Sequence, residues 1–540
     1  MTAETTADNK SFKYEWFTVG DINGFFGIMF DNVTVLAFLA TILTSTFGMP
    51  KDIVMTKMFP GTAFGVLVGD LVYSWTAFKL AYRTKKNVTA MPLGLDTPST
   101  IGVAFAVLGP AYQGYVAAGM SPEQAGMQTW YVGMATMIYV GIFKTVFSFF
   151  GRWLMNVVPQ AGLMGSLAGV GLALLAFGPA MNIMSAPVIG MVALGIVLYN
   201  MIANVKLPGN MPGVFASVLI GTILYYILGP LGLAGVDFTP PTAVALTFSF
   251  PWPTASFLNG MADGLMYLPV AIPFAVLTVV GGINVTESAR LAGDEYDTRE
   301  VLLVEAISTL VAGVCGGVAQ STPYIGQPAF KQMGSRSGYT ILTGLVVGIG
   351  GMMGIIGFIV DAIPAAVLAP ILVFVGLNIV CQAFTACDVK YGPAVAFAFI
   401  PNVARAVWIK INQLPDDVFT TSKQFFNELF VTMVMCNGFI LTAMLWGAFL
   451  ALMIDKKFKL ASLYVLILSV LSFFGIIHSV CSNGNMYLPW TLETHYQMMA
   501  AYQFSLCYLI LAVMLFLLSF SKEAKEAAAA EATSNSAVSE

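Results

Sequence analysis

Four polar side chains interrupt apolar stretches of this chain. Asp31 and Asn32 lie within GDINGFFGIMFDNVTVLAF, and Asn284 and Glu287 lie within FAVLTVVGGINVTESARLAG. Asn284 and Glu287 are three residues apart and therefore share one face of a helix. An ionisable group inside a long apolar run is energetically costly, and it indicates a functional role by default. Asn284 and Glu287 are candidates for binding a polar solute, and Asp31, Asn32 and Glu287 are candidates for a coupling or polar network.

Two of the acidic candidates have a second interpretation. Arg290 follows Glu287 by one helical turn, so the two could form a salt bridge at a cytoplasmic helix end without any binding role. Asp96 stands immediately before a helical run and could bind a solute or cap the helix, because aspartate is a favoured N-cap residue. Both interpretations stay open for each residue.

Three further charged residues receive a structural interpretation. Asp70 and Glu305 lie nearer the ends of their apolar runs and are expected to be structural or interfacial. Lys331 could face a binding site as a fixed cation, but its long side chain could equally extend to the cytoplasmic surface. The sequence DEYDTRE from Asp294 is predicted to be a solvated loop rather than a metal cluster.

Two segments combine prolines with small and polar residues in the middle of otherwise helical patterns. Residues 87–100 read NVTAMPLGLDTPST, and residues 316–328 read GGVAQSTPYIGQP. Proline removes a backbone donor and disfavours helix at the preceding residue, so each segment should enter the membrane extended and become helical afterwards. The polar residues next to Pro98 and Pro323 are the candidate substrate contacts, together with Asp96. They are Thr97, Thr100, Ser321, Thr322 and Tyr324.

Paired interruptions of this kind indicate a transport site. Irregular backbone at membrane depth persists only where protein or a water-filled cavity satisfies its amides. Interrupted hydrophobic segments in corresponding positions of two halves are the best sequence indicator of a transporter built from inverted repeats. The half-helix N-termini are then expected to converge near the membrane midplane, where unpaired amides attract anionic or carbonyl-bearing groups. A packing role for two re-entrant loops is the simpler alternative.

Composition places these segments in a membrane protein. Of the 540 residues, 58% are hydrophobic and only 10% are charged, far from the composition of soluble domains. Hydropathy gives about sixteen candidate spans for a hydrocarbon layer about 30 Å thick, although some are too short or too glycine-rich to be simple helices. They are centred near residues 30, 70, 105, 137, 170, 192, 222, 278, 308, 330, 348, 373, 400, 440, 468 and 509. The chain is therefore expected to be an all-α, multi-pass integral protein of the cell (inner) membrane.

The distribution of lysine and arginine predicts the orientation. Short cytoplasmic loops carry an excess of these residues, and alternating spans place most of them on the side of the N-terminus. Lys51, Lys57, Arg405, Lys410 and Lys423 oppose the pattern. Both termini are therefore predicted to be cytoplasmic. The polar tail 521–540 is predicted to be disordered.

Cysteine and histidine content argues against a metal or redox centre. The six cysteines are scattered without a ligand-type spacing, and the chain has two histidines. No nucleotide-binding loop or catalytic constellation is found, so an enzyme or a receptor is disfavoured. No catalytic residue, metal ligand or cofactor is predicted. The net charge of −4 does not indicate a nucleic-acid partner.

Several motifs resemble the xanthine/uracil/ascorbate permease superfamily, the nucleobase-ascorbate transporters, and more remotely the sulfate permeases. They are TESARLAGDEYDTR, PYIGQPAFKQMGSRSG, GDINGFFGIMFDN and MPLGLDTPST, within residues 17–455. Pro323, Gly326, Ser335 and Arg336 match the family signature of the tenth segment, whereas Tyr324 replaces its Asn and Lys331 its Thr. The substrate-binding glutamates of uracil carriers would fall at Pro323 and near Val280. Asn284 occupies the position of a polar family residue.

The resemblance implies the fold and the domain plan. It implies two inverted seven-helix repeats, about 17–232 and 255–455, with extended stretches in the third and tenth segments and interleaved core and gate domains. Residues 1–16 would be a cytoplasmic tail, and residues 456–520 would add two transmembrane helices. A homodimer in the lipid bilayer is the expected assembly.

The predicted function is secondary active transport of a small polar solute by alternating access. A nucleobase-like compound is the leading substrate, with proton or sodium coupling through Asp31, Asp96 or Glu287. The alternative is an inorganic or carboxylate anion carrier resembling sulfate permeases, in which helix dipoles and Lys331 would stabilise the anion.

Overall fold

The computed structural model describes residues 12–521 apart from 151–158, 204, 209–210, 212, 237, 239–247, 325, 356–357, 359–361, 412–422 and 483. The predicted disordered tail 521–540 lies outside this range except for its first residue, as does most of the predicted N-terminal tail. The described part of the chain is almost entirely helical. Its two strands are β1 (Leu93–Leu95) and β2 (Ser321–Pro323).

The first half of the chain contains the helices α1 to α9. They are α1 (Val19–Thr41), α2 (Phe59–Thr84), α3 (Thr97–Val103), α4 (Gly109–Ala117), α5 (Pro122–Phe147), α6 (Gln160–Val170), α7 (Phe177–Ser185), α8 (Pro187–Val197) and α9 (Gly213–Leu228). A π-helical turn, Ala104–Leu108, joins α3 to α4 without a break.

The second half contains α10 to α20. They are α10 (Leu268–Leu291), α11 (Thr298–Val314), α12 (Gln327–Gln332), α13 (Gly338–Met352), α14 (Ala365–Ala386), α15 (Gly392–Phe397), α16 (Ile400–Ile411), α17 (Lys423–Cys436), α18 (Phe439–Ile454), α19 (Phe458–Phe473) and α20 (His495–Leu518).

The two proline-containing segments are extended, as predicted, and they pair with each other. β1 and β2 run antiparallel, with Leu93 opposite Pro323, Gly94 opposite Thr322 and Leu95 opposite Ser321. The backbone N–H of Asp96 donates to the carbonyl of Gln320 at 3.2 Å, which continues the ladder beyond β1. Each segment thus satisfies the amides that the other exposes within the membrane.

Helices from both halves of the chain pack around this strand pair as a first bundle. α13 packs against α1 and α2, α11 packs against α2 and α5, and α10 packs against α5 and α11. The helices α6 to α9 and α14 to α18 form a second bundle, in which α18 packs on α6 and α14 packs on α6, α7 and α8. α10 and α18 also contact each other, so they connect the two bundles.

The last two helices form a hairpin outside these bundles. α19 and α20 pack closely on each other, and α19 also contacts α18. Between α17 and α18 the chain bends by 79° at Asn437 and Gly438. Gly438 has a positive φ of 71°, a conformation that residues with a side chain rarely adopt.

The prediction of an all-α polytopic membrane protein is confirmed. Seven of the described helical stretches are long and apolar enough to cross a membrane, or eight if the bent pair is one span, and four shorter apolar helices accompany them. The candidate near residue 330 is α12, a helix of only six residues. Glycine, proline and the extended approach through β2 limit its length. The antiparallel strand pair is the relationship that two inverted repeats would produce.

One loop prediction was only partly right, because Glu295, Asp297, Arg299 and Glu300 are exposed as expected but two other residues are not. Asp294 and Tyr296 of the DEYDTRE sequence are buried rather than solvated. The Tyr296 hydroxyl donates to the carbonyl of Thr89 at 2.7 Å, and the Asp294 carboxylate accepts from the Thr89 N–H at 3.3 Å. The loop therefore provides the side-chain partners for the extended segment that leads into β1.

Candidate functional site

Asp96 links β1 to the helix that follows it. Its side chain accepts a hydrogen bond from the Ser99 N–H at 2.9 Å, so it is the N-cap of α3. The residue as a whole is partly buried, and its cap uses one of the two carboxylate oxygens. The capping interpretation is therefore correct, and it does not exclude a binding role.

Asp31 and Tyr324 are two further candidates near the strand pair. Asp31 is partly buried on α1, and among the described residues it makes no hydrogen bond or ion pair. It interacts electrostatically with Asp96 and with Tyr324. Tyr324 is 37% exposed, and its backbone N–H donates to the carbonyl of Pro92 at 2.8 Å. Asp31 is therefore within electrostatic range of Asp96, which follows one end of the strand pair, and of Tyr324, which follows the other end.

Two buried residues hold β1 in place from the sides. The Asn32 side chain accepts from the Leu95 N–H at 2.8 Å and donates to the carbonyl of Ile28 at 3.0 Å. The Asp70 carboxylate accepts from the Leu93 N–H at 3.0 Å. Asn32 and Asp70 therefore position the extended backbone of β1. The structural interpretation of Asp70 agrees with this contact.

A buried ion pair supports β2 from behind. Nζ of Lys144 on α5 lies 2.8 Å from Oε1 of Glu305 on α11, and both side chains are almost completely buried. Lys144 also donates to the carbonyl of Ser321 at 3.1 Å. Glu305 lies in the middle of α11 rather than near its end, because that helix begins at Thr298. Lys144 is missing from the sequence predictions, although a lysine inside the run MIYVGIFKTVF is a signal of a buried partner.

The predicted hydroxyl contacts divide into two groups. The Ser321 hydroxyl lies 2.6 Å from that of Ser308, so it is turned toward α11. Thr97 and Thr100 are buried in the first turn of α3, and the Thr100 hydroxyl has no hydrogen-bond partner in the described structure. Thr322 is partly exposed opposite Gly94. Of these four residues, Thr322 is the one whose accessibility suits contact with a solute.

The two faces of α10 have different neighbours. A Cβ atom on Gly282 would lie 2.9 Å from Oε2 of Glu305 and 3.5 Å from Pro323, so this face packs against the strand pair. Asn284 lies on the opposite face by helical geometry, as does Leu277, which packs near Leu163 of the second bundle. Asn284 is partly exposed and makes no side-chain hydrogen bond with described residues. It therefore borders the space between the two bundles.

Glu287 lies apart from the strand pair. Its carboxylate is 2.5 Å from Nη1 of Arg290, and both side chains are about half exposed (51% and 42%). The structure thus gives Glu287 the surface salt bridge that was the second interpretation of the sequence. It is not brought together with Asp31 and Asp96.

Lys331 is not a free cation facing the site. Its Nζ lies 2.6 Å from Oδ1 of the buried Asp294 carboxylate. Gln327 donates to the other oxygen of Asp294 at 2.8 Å. These contacts join α12 to the chain between α10 and α11, and they neutralise the lysine.

The arrangement of side chains favours a ligand that donates hydrogen bonds. Ionised carboxylates only accept hydrogen bonds, and charge-assisted bonds to them are among the strongest in proteins. The ring of Tyr324, whose centroid is 6.3 Å from that of Phe330, offers an apolar surface next to them. A planar, polar molecule with N–H groups on one edge fits this combination of side chains.

Comparison with known proteins gives one related sequence. No family model matches the chain. The chain is 25% identical over 276 residues to the adenine permease AdeP of Escherichia coli (strain K12), an alignment that covers 47% of this chain and 58% of the permease. The chain thus spans less than two thirds of this relative's length. The resemblance to nucleobase permeases is confirmed by this match.

Two solved structures resemble the fold more remotely. The transmembrane domain of a cyanobacterium bicarbonate transporter, BicA, aligns over 74% of this chain and 100% of that domain, with a TM-score of 0.49 and 16% identity. The murine solute carrier 26 family member A9 anion transporter, in its inward-facing state, aligns over 74% of this chain and 69% of that protein, with a TM-score of 0.47 and 14% identity.

Proposed function

We propose that this protein is a secondary transporter that moves a nucleobase-like solute across the membrane by alternating access. The observation that carries the proposal is the antiparallel pairing of the two broken segments, which places Asp96 beyond one end of the strand pair and Tyr324 beyond the other, with Asp31 of α1 in electrostatic range of both. A nucleobase has N–H donors on its edge and a flat face, which match two carboxylates and an aromatic ring. The similarity to an adenine permease supports the same substrate class.

The charges around the strand pair weigh against the anion alternative. Lys331 is neutralised by Asp294, and Lys144 is neutralised by Glu305. The Asp31 and Asp96 carboxylates interact with each other, and like charges brought together cost several kcal/mol unless another group compensates them. An inorganic or carboxylate anion would therefore meet repulsion at this place. A neutral molecule with N–H groups would not.

Proton coupling through Asp31 is part of the proposal. A carboxylate inside the membrane without a hydrogen bond or a cationic partner is costly when ionised, so protonation relieves that cost. Protonation would also remove its repulsion from Asp96. Glu287 is already stabilised by Arg290 at the surface, so it is the weaker candidate for carrying the proton.

Uptake by the reconstituted protein tests this function. Proteoliposomes would be assayed with radiolabelled adenine, hypoxanthine and uracil, and in parallel with sulfate and bicarbonate. We expect uptake of at least one nucleobase and none of the anions. Asp96→Asn should raise the half-saturating concentration at least tenfold, because asparagine keeps the N-cap but loses the charge. Uptake of an anion without uptake of any nucleobase would establish the alternative function.

The coupling test uses a matched pair of variants. An imposed inward proton gradient should accelerate uptake by the wild type and by Glu287→Gln. In Asp31→Asn the gradient should have no effect, while exchange of substrate between the two sides continues. If Glu287→Gln rather than Asp31→Asn loses the response, the assignment of the proton carrier is wrong.

A further inference from the structure

A second polar cavity lies away from the strand pair, between the two bundles and the C-terminal hairpin. Its volume is about 60 Å³, more than the roughly 10–15 Å³ needed for one water molecule. Its walls come from the π-helical turn and the start of α4, the residues around the start of α10, Arg405 of α16, the α17–α18 bend and the loop between α19 and α20. The residues that give the cavity its polar character are Tyr267, Arg405, Cys436, Asn437 and Asn485.

Arg405 is the charged group of this cavity. It lies on α16 and donates through Nη2 to the carbonyl of Phe105, which belongs to the π-helical turn between α3 and α4. Its guanidinium carbon is 5.9 Å from the ring centroid of Phe439. Within the described part of the chain no carboxylate lies within 4 Å of this guanidinium, and its buried Nε has no hydrogen-bond partner. Arg405 as a whole is partly buried, so an anion in the cavity would interact with its charge at a lower effective dielectric than in water.

Tyr267 supplies a second donor on another wall. It precedes α10 and interacts electrostatically with Asp263, which is not among the residues that line the cavity, and with Arg405, which is. Its hydroxyl makes no hydrogen bond with any described residue. A planar carboxylate accepts hydrogen bonds along directions that match an arginine fork, and a nearby phenol hydroxyl can donate to the same group.

The loop between α19 and α20 closes the cavity and is itself tightly held. The Asn437 side chain donates to the carbonyls of Ser479 and Cys481 at 2.8 and 3.0 Å, and the His478 N–H donates to the Asn437 carbonyl at 2.9 Å. His478 also bonds the Tyr508 hydroxyl on α20 at 2.8 Å. The C-terminal hairpin therefore fixes the bend at Asn437 and forms one wall of the cavity.

We infer that this cavity binds a small monovalent carboxylate, of the size of formate or acetate, on Arg405 and Tyr267. The site is distinct from the proposed transport site at the strand pair, and it does not depend on the identity of the transported solute. An anion there would contact the first bundle through Tyr267 and the second through Arg405, next to the hairpin loop. It would stabilise the arrangement in which these three parts are together.

Thermal unfolding of the purified full-length protein tests this site. Sodium formate or acetate would replace sodium gluconate, which is too large for the cavity, at constant ionic strength. We expect a saturable rise in the unfolding temperature of the wild type. Arg405→Gln should raise the half-saturating concentration at least tenfold. Lys410→Gln changes an exposed lysine on the same helix and should respond as the wild type does.

Tyr267→Phe keeps the test decisive if Arg405→Gln does not fold. It removes only one hydroxyl, and we expect the half-saturating concentration to rise severalfold. The proposal is overturned if formate and acetate give no saturable shift in the wild type, or if a folded Arg405→Gln or Tyr267→Phe protein responds as the wild type does. Because the readout is binding, loss of nucleobase uptake does not affect this result.

Discussion

The ammonium group of Lys144 lies 2.8 Å from the carboxylate of Glu305, and both side chains are almost completely buried. The two residues are far apart in sequence and meet because α5 packs on α11. The same ammonium donates to the carbonyl of Ser321 in β2. The pair therefore provides both charge balance in the first bundle and a backbone contact for the second broken segment.

Removing one member of this pair should destabilise the protein strongly. Lys144→Met leaves the Glu305 carboxylate buried without its cation, and Glu305→Gln does the converse. Losing one partner of a buried pair costs about 3–5 kcal/mol. Unfolding of the purified protein by heat or denaturant would measure the loss. The exposed Arg290→Gln is the control, for which we expect a change of less than about 1 kcal/mol.

The double variant Lys144→Met, Glu305→Gln combines the two single changes and separates pairing from general disruption. If the charges stabilise each other, the double variant should be less destabilised than the sum of the two single changes by at least about 1 kcal/mol. Strict additivity would show that the two residues act independently, contrary to the 2.8 Å contact.

Asn32 should be required for the position of β1 rather than for solute chemistry. Asn32→Ala leaves the Leu95 N–H without its acceptor, at a cost of about 1–3 kcal/mol for a buried donor. We expect faster hydrogen exchange in peptides that cover residues 93–97, measured by mass spectrometry. Thr385→Ala removes an exposed hydroxyl on α14 and serves as the control. Unchanged protection of residues 93–97 in Asn32→Ala would contradict this assignment.

Gly102 marks the closest approach of α3 to α10. A Cβ atom on Gly102 would lie 1.9 Å from Cζ of Phe274, whereas one on Gly114 in α4 would meet nothing within 4 Å. Gly102→Ala should therefore destabilise the protein by about 1–3 kcal/mol through overpacking. Gly114→Ala should be neutral or stabilising by up to about 1 kcal/mol, because alanine favours helix.

Thermal unfolding of the two glycine variants gives the comparison. Adding Phe274→Leu to Gly102→Ala should restore part of the lost stability by making room for the methyl group. If Gly102→Ala and Gly114→Ala behave alike, the two helices are not in contact at Gly102 as described.

Local sequence rules predict much of this fold. Long apolar runs predict the spans, because such a run is long enough to cross the hydrocarbon layer. Pro92 and Pro323 predict extended backbone, because proline restricts both itself and its predecessor. Both predictions can be made from a single stretch of sequence. The N-cap at Asp96 is likewise local, since it joins residues three apart.

Contacts between distant parts of the chain could not be predicted in this way. The buried Asp294 carboxylate contacts Thr89, Gln327 and Lys331, which are distant in sequence. The charged residues next to Asp294 in the chain indicate a solvated loop, and they give no sign of these partners. The same limit applies to Glu287, because a spacing of three residues predicts the pair with Arg290 but not its exposure. Asp31 was recognisable because a carboxylate inside an apolar run is conspicuous without any knowledge of its partners.

The end of α18 provides a contact whose strength should depend on pH. Asp455 follows this helix and accepts hydrogen bonds from Lys390 Nζ and from the Tyr391 hydroxyl, both at 2.7 Å. Partial burial acts to raise the pKa of Asp455, but the hydrogen bonds from Lys390 and Tyr391 outweigh it and hold the pKa below its ordinary value. The folded state therefore favours the ionised carboxylate more than the unfolded state does.

This difference in pKa fixes the direction of the effect on stability. A carboxyl group with a lowered pKa in the folded protein contributes its full stabilisation above its unfolded pKa, about 3.9 for aspartate, and loses it as the pH falls through the folded value. The unfolding temperature of the wild type should therefore fall more than that of Asp455→Asn when the pH is lowered from 7 toward 3, so that the two converge. Lys390→Gln should show the same convergence, because it removes the cation from the same contact. If the difference between wild type and Asp455→Asn is equal at both ends of this range, the Asp455 carboxylate does not stabilise the fold through its charge.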